Sequence, residues 1–330
     1  MFSVDAARKM ITQMKGVGSM RADKKETRIA TISSRKRRKA FVLLSFALPG
    51  LLYYAIFHYV PMIGLTIAFK DYNPFKGIWA SSWVGMKWFV EFYESIYFLR
   101  LIRNTFTLSA LMLIFAFPLP IFFALMMYEV RGKKFRSAVQ SISYLPHFIS
   151  MVIVCGLVRT FTSESNGLLN VIIVALGGES IPFMSSPQWF RPIYVISGIW
   201  QSTGWSSIIY FANVNAIDTS LFEAADIDGA SRLQKIVNIS LPSLKPTIIT
   251  LLLMQLGNIM NVGYEKVLLL YETSTYEVAD VISTYVYRAG LVSQRYSFAA
   301  AVGLFNSIVG VVLISVVNSI ARKANESSLW

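Results

Sequence analysis

The chain has 330 residues, of which 55% are hydrophobic, 14% aromatic and only 15% charged, with a net charge of +13. Soluble globular domains carry more charge and fewer apolar residues, so the composition excludes a water-soluble enzyme or binding module and indicates a membrane protein. The charge does not indicate nucleic acid, because 12 basic and 3 acidic residues at positions 1–39 supply 9 of the 13 units, and a basic tail beside a membrane accounts for them.

Within that tail, Ala7, Met10, Ile11, Met14 and Val17 fall at helical spacing opposite Arg8, Lys9 and Lys15, which fits an interfacial helix or a mobile tail equally. "SRKRRK" at 34–39 adjoins the first apolar block and sets its topology. A cleaved signal peptide is not expected: the basic region is too long, and no small-residue cleavage site follows the apolar block. The chain thus divides into a basic cytoplasmic tail, 1–39, and a transmembrane domain, 40–330.

Six apolar blocks follow, approximately Phe41–Phe69, Phe106–Tyr128, Val139–Phe161, Ile193–Val214, Thr247–Leu270 and Phe298–Ala321. Each has the roughly 20 residues that a helix needs to cross a bilayer, and none alternates as a barrel strand does. The expected fold class is an all-α membrane protein with six transmembrane helices. The first block exceeds one span and contains Pro49 and Pro61, predicting a kinked helix that continues into an extracytoplasmic segment. With the N-terminus inside, cytoplasmic segments hold 21 Lys and Arg residues and outer segments 8, so both termini are expected in the cytoplasm.

Chemistry of its own is not expected in the chain. Cys155 is the single cysteine, His58 and His147 are isolated, and no carboxylate cluster accompanies them, so neither a metal centre nor a catalytic residue is expected. Gly132-Lys133 lacks the upstream glycine and the following hydroxyl of a phosphate-binding loop. If a nucleotide energises the protein, another subunit binds it, and no cofactor is expected in this chain.

The loop between the fourth and fifth blocks, at about 216–246, is the most charged stretch of the second half: "EAADIDGASRLQKIVNISLP", from Glu223 to Pro242. Thr219 or Ser220 is positioned to cap a helix whose first turn carries Glu223, Asp226 and Asp228. Gly229 allows a change of direction, and Leu233, Ile236, Val237 and Ser240 form one face of a second short helix. Leu241-Pro242 is expected to end that helix before the next span.

Glu223-Ala224-Ala225, Gly229 and Leu241-Pro242 at this spacing resemble the conserved cytoplasmic loop of ATP-binding-cassette importer permeases. "FHYVPMIGLTIAFKDYNPFKG" (57–77), "SYLPHFIS" (143–150), "GNIMNVGYEKVLLLY" (257–271), "YEVADVISTYVYRAGL" (276–291), "YSFAAAVGLFNSIVG" (296–310) and the terminal "SLW" resemble the subgroup that imports complex oligosaccharides, such as uronide, rhamnogalacturonan or alginate oligomers. The resemblance covers about 39–330 and leaves the long basic tail without a counterpart. It implies the type I importer permease fold, with Glu223, Ala224, Ala225, Asp226, Asp228, Gly229, Leu241 and Pro242 as the surface that couples to an ATPase. It also implies the partners: a second similar permease, two ATPases that bind ATP and Mg, and an extracytoplasmic solute-binding protein, all at the bacterial inner membrane. Alternating access is the mechanism that would follow.

For the sugar pathway, Gln255, Asn258, Asn261 and Glu265 share an arc of roughly 120° if the fifth span is one helix. Trp200, Gln201 and Trp205 in the fourth span supply aromatic faces and a further amide. Such polar groups must face protein or water, and they serve either as sugar contacts or as hydrogen bonds between helices. Glu265, next to Lys266, also fits gating at the outer mouth. Trp79, Trp83 and Trp189 read as headgroup anchors, and the loops 70–105, 162–192 and 271–297 as the surface for the binding protein. The basic outer loops favour an acidic sugar.

Two other classes compete. A secondary transporter or channel for a small polar solute would need intramembrane charge pairs, which are almost absent apart from Glu265 and Lys266. A membrane enzyme would need a cluster of reactive side chains.

Overall fold

The structure, a computed structural model, describes residues 39–260 and 262–323. The tail pattern at 2–17, Asn261 and the terminal "SLW" lie outside the described residues. Among the described residues, those up to Leu65 form one unit and those from Thr66 another.

Helix α1 (Lys39–Phe69) is a single apolar run of 31 residues. Its hydrogen-bond ladder widens to π geometry over Ala55–Tyr59, ahead of Pro61, and tightens to a 3-10 helix over Ile63–Phe69. Pro61 has no N–H to give, and a change of ladder at that point is the local adjustment to its absence.

Beyond α1 the chain pairs β1 (Lys70–Asp71) with β2 (Ser82–Trp83), antiparallel, Lys70 opposite Trp83. Helix α2 (Lys87–Glu94) leads to α3 (Phe98–Glu129), a 32-residue apolar helix. A π turn at Met112–Ala116 in α3 precedes Pro118 and Pro120, again where ladder donors are missing.

The third apolar block is not one straight span. Helix α4 (Lys133–Phe148) and helix α5 (Met151–Phe161) meet at 100°. The corner follows from "SYLPHFIS": Pro146 starts a one-turn 3-10 segment, Ile149 and Ser150 are extended, and Ser150 Oγ accepts from the Ile153 N–H to begin α5.

Helix α6 (Leu168–Ala175) precedes α7 (Pro187–Asn215), whose 29 residues exceed one membrane thickness but include too many polar side chains to rank with the apolar spans. Then come α8 (Thr219–Ile227), α9 (Arg232–Gly257) and α10 (Tyr264–Leu270). Short helices α11 (Tyr276–Ala279) and α12 (Ile282–Tyr287) lead to α13 (Tyr296–Lys323). Four described helices, α1, α3, α9 and α13, have the length and apolarity to cross a membrane, and the bent α4–α5 pair makes up to five.

The fifth block also departs from a single helix. The ladder of α9 stops at Gly257, residues 258–260 turn, and α10 begins a new axis at Tyr264. A wheel drawn continuously from Gln255 to Glu265 therefore does not describe the side-chain directions.

Helix α7 packs along α3 and carries the core. Leu108, Cys155, Tyr194, Val267 and Leu270 form its middle, and Ile121, Leu125, Tyr210, Val214 and Leu244 close the end next to α8. Phe92, Leu101, Ile282, Phe298 and Val302 join α2, α3, α12 and α13. Gly204 sets the α4–α7 approach: a Cβ there would lie 2.0 Å from the main-chain oxygen of Ser143. Only 28%, 17% and 11% of the most apolar windows of α3, α9 and α13 are buried, so much of their surface is left for lipid or another subunit.

Candidate functional sites: an exposed helix and a cavity with amide groups

The stretch that follows α7 forms α8, a turn and the first turns of α9. Asp218, rather than Thr219 or Ser220, is the cap: its carboxylate accepts from the Ser220 N–H at 2.9 Å. That hydrogen bond, with a second from the Ser220 hydroxyl, holds the Asp218 carboxyl below its ordinary range. Because the helix starts at Thr219, its acids are not in the first turn. Glu223 sits at mid-helix, Asp226 falls in the last turn and Asp228 ends it. An acid in the last turn opposes the helix dipole, and Lys235 Nζ at 2.7 Å from Asp226 offsets it.

Gly229 has φ of +73°, so it turns the chain by a backbone conformation that residues with a Cβ rarely adopt. Ser231 and Gln234 close a capping box, and the helix that they start does not end at Pro242 as the sequence pattern predicts. A π turn at Ile236–Ser240 accommodates the proline, and the helix continues unbroken from Arg232 to Gly257. The turn after α8 is thus joined to one continuous helix.

The base of α8 is anchored, with Phe222 against Tyr128 of α3 at 5.6 Å and Ile217 on the adjacent core. Its outer face is bare. Glu223 and Ala224 are exposed, and so are the large apolar side chains Leu221 and Ile227, at 51% and 88%, with Leu233 in the first turn of α9 at 70%. Uncovered apolar groups on a charged protrusion indicate a surface that a partner covers.

The polar residues of α7 and α9 separate into groups. Trp205, Gln255 and Asn258 line one cavity of about 780 Å³ between α3, α7 and α9. Gln255 and Asn258 also reach a smaller cavity of about 150 Å³ with Ser109 and Tyr194. The Ser109 hydroxyl donates to the Ile259 carbonyl and fixes the turn after α9. Trp205 is 42% exposed, and the His147 ring stacks on it at 4.6 Å with 2° between planes, while Phe148 meets it edge-on.

Trp200 lies elsewhere, in an apolar groove of about 560 Å³ with Trp189, Phe161 and Ile196. Gln201 Nε2 donates to the Ile149 carbonyl at 3.3 Å, satisfying an acceptor exposed by the α4–α5 corner. Glu265 is exposed in the first turn of α10 and lines neither of the cavities that Gln255 and Asn258 reach. Lys266 points the other way: it is buried, with Nζ donating to the Tyr194 carbonyl at 2.7 Å and lying 4.6 Å from the Tyr194 ring centroid.

His147 and Lys266 were legible only as an isolated histidine and a neighbour of Glu265, since nothing in their sequence spacing shows what they touch. Asp280 was missed altogether. A lone acid in "VADVISTYVYR" with Thr284 four and Arg288 eight residues later was the available signal, because that spacing puts all three on one helical face.

The sequence profile of the family described as "Binding-protein-dependent transport system inner membrane component" matches residues 116–326. The chain is 42% identical over 302 residues to protein LplB of Bacillus subtilis (strain 168), covering 92% of this chain and 94% of that protein. It is also 42% identical over 307 residues to the polygalacturonan/rhamnogalacturonan transport system permease protein YteP of the same organism, covering 93% and 95%. A chain in the crystal structure of a bacterial alginate ABC transporter in complex with an alginate pentasaccharide-bound periplasmic protein superposes with a TM-score of 0.82 at 46% identity, over 88% of this chain and 98% of that one.

Proposed function

The chain belongs to the binding-protein-dependent transport system inner membrane component family, and from that premise we propose that it is one of two similar permeases in an ATP-driven importer of acidic oligosaccharides. One of two ATPases docks on α8 and the other on the second permease, a solute-binding protein delivers sugar at the opposite face, and the chain crosses a bacterial inner membrane six times with both termini in the cytoplasm. The chain itself holds no nucleotide, and ATP and Mg belong to the partner ATPases. The names of the relatives support the sugar class: one transports polygalacturonan and rhamnogalacturonan, and the other is an alginate transporter crystallised with a periplasmic protein.

The observation that carries this reading is α8. It is exposed, anchored at its base by Phe222, and joined through Gly229 to the unbroken helix Arg232–Gly257. That helix carries Gln255 at its far end, on the wall of the larger cavity, so a push on α8 moves the cavity wall. ATPase closure at α8 then alternates which side of the membrane the cavity opens to, and Trp205, Gln255 and Asn258 offer a ring face and amides to the sugar.

Glu223→Lys tests the coupling step. In the assembled complex it should leave the subunits associated but lower sugar imported per ATP hydrolysed at least tenfold. Wild-type import in this variant overturns the coupling role of α8.

A further inference from the structure

At the end of the helices remote from α8, four arginines converge: Arg100 and Arg103 from the first turns of α3, Arg191 from the start of α7, and Arg288 just after α12. One buried carboxylate faces them. Asp280 has no exposed surface, accepts from Arg288 at 2.6 and 3.3 Å and from the Thr284 hydroxyl at 2.9 Å, and lies 3.7 Å from Arg100. Burial pulls the Arg288 guanidinium down, but the hydrogen bond and charge of Asp280 outweigh it and hold that guanidinium above its ordinary value.

The other three arginines are under-served. Arg100 Nε is buried with no hydrogen-bond partner, and so is Arg191 Nε. Arg191 Nη2 reaches only the side-chain oxygen of Asn104, at 3.2 Å, and Asn104 in turn donates to the carbonyls of Glu277 and Asp280. Arg103 is exposed, makes no hydrogen bond or ion pair among the described residues, and lies near enough to Arg191 to repel it. Glu277 brings its carbonyl rather than an ion pair. Four guanidinium groups against one carboxylate leave a formal excess of three positive charges, and like charges held together at partial burial are unfavourable until an anion joins them.

The surroundings say which anion. Tyr97 lies under Arg100 at 4.8 Å, and Tyr276, stacked on Tyr271, lies under Arg288 at 4.7 Å. Those rings are taken up in holding the guanidinium groups, and guanidinium forks suit carboxylates bidentately, so the cluster fits a ligand that carries carboxylate groups. From Arg191 to Trp205 is 14 residues of one helix, roughly 21 Å along its axis. The cluster and the cavity that Trp205 lines therefore lie along the same helix.

We propose that Arg100, Arg103 and Arg191 form a carboxylate-binding site at the outer mouth, which takes the uronate groups of an acidic oligosaccharide before the chain of sugars enters the cavity. Asp280 and Arg288 hold the frame of the site. The proposal rests on the importer reading above and adds to it where acid specificity resides.

The test uses the complete complex in proteoliposomes with saturating binding protein, and an oligogalacturonide or alginate oligomer offered either as the free acid or as its methyl ester. Arg103→Gln and Arg191→Gln should each lower import of the free acid about tenfold and change import of the ester less than twofold, with Arg103→Lys restoring most of the loss. Equal losses for acid and ester, in variants that still elute as intact complexes, overturn the proposal and assign the arginines to the fold or to acidic groups of the binding protein. Undiminished import of the acid by both variants also overturns it, as does a wild-type complex that imports only neutral oligomers. A wild-type complex that hydrolyses ATP but imports no sugar at all overturns the importer reading instead.

Discussion

Gly204→Ala adds one methyl group, and the structure says where it goes. Its carbon would lie 2.0 Å from the Ser143 carbonyl oxygen and 2.5 Å from the Ser143 carbonyl carbon, where ordinary contact begins at 3.4 Å. The obstructing atoms are main chain, so trimming the Ser143 side chain cannot make room, and α4 and α7 must separate by about 1 Å or more. Overpacking of that kind costs about 1–3 kcal/mol, and the rigidity of two helix backbones puts the estimate at the upper end. The separation also pulls His147 away from Trp205 and opens the cavity wall, so transport should fall together with stability. Gly156→Ala in α5 is the control: nothing lies within 4 Å of its added carbon, and alanine favours a helix interior over glycine by up to about 1 kcal/mol. Thermal denaturation of the purified complexes, followed by loss of the monodisperse peak, should rank Gly156→Ala at or above wild type and Gly204→Ala several degrees below it. Equal midpoints for Gly204→Ala and wild type would refute the close approach.

Asp280→Asn leaves Arg288 and Arg100 facing a neutral amide and should destabilise the end of the helices remote from α8 by about 3 kcal/mol, read as poor yield of intact complex, since removing one partner of a buried pair costs far more than the pair contributes. Lys235→Ala breaks a pair whose acid is 62% exposed, so stability should change by less than about 1 kcal/mol while sugar transported per ATP falls. Gly229→Val meets no steric obstacle but forces a β-branched residue to φ near +73°, about 1–2 kcal/mol of local strain that should misplace α8 and weaken ATPase association, measured by co-purification. Trp205→Ala should raise the sugar concentration for half-maximal import, whereas Trp200→Ala, in an apolar groove, should leave it within twofold of wild type.

The membrane class and the local fold of the charged loop were legible because they rest on composition and on local spacing. Long apolar runs have few folded solutions in lipid, and Glu223 to Gly229 folds from contacts within a few residues: the Asp218 cap, the Gly229 turn and the Ser231 capping box. Even there the cap lay one residue earlier than the hydroxyls that the pattern favoured. The pathway residues were legible only as types. Gln255 and Asn258 do share a cavity, but Glu265 does not line it, because the ladder ends at Gly257 and a helical wheel carries no information across a break. The 100° corner after Phe148 was hidden for a related reason: Pro146 weakens a helix, but only packing against α7, with Gly204 against Ser143 and Gln201 on the Ile149 carbonyl, decides that the chain turns there.

By itself the sequence determined that the chain is helical, is apolar enough for a membrane and carries an exposed charged helix, since each of these follows from composition or from residues near in sequence, while its place among importer permeases rested on a resemblance of motifs. Only the tertiary structure decided which polar side chains meet. Arg100, Arg191 and Asp280 come from three segments up to 180 positions apart, and Trp205 finds His147 across a helix interface. Contacts of that kind are set by how helices pack, and helix packing depends on small residues such as Gly204, whose spacing in the chain carries no signal of what they touch.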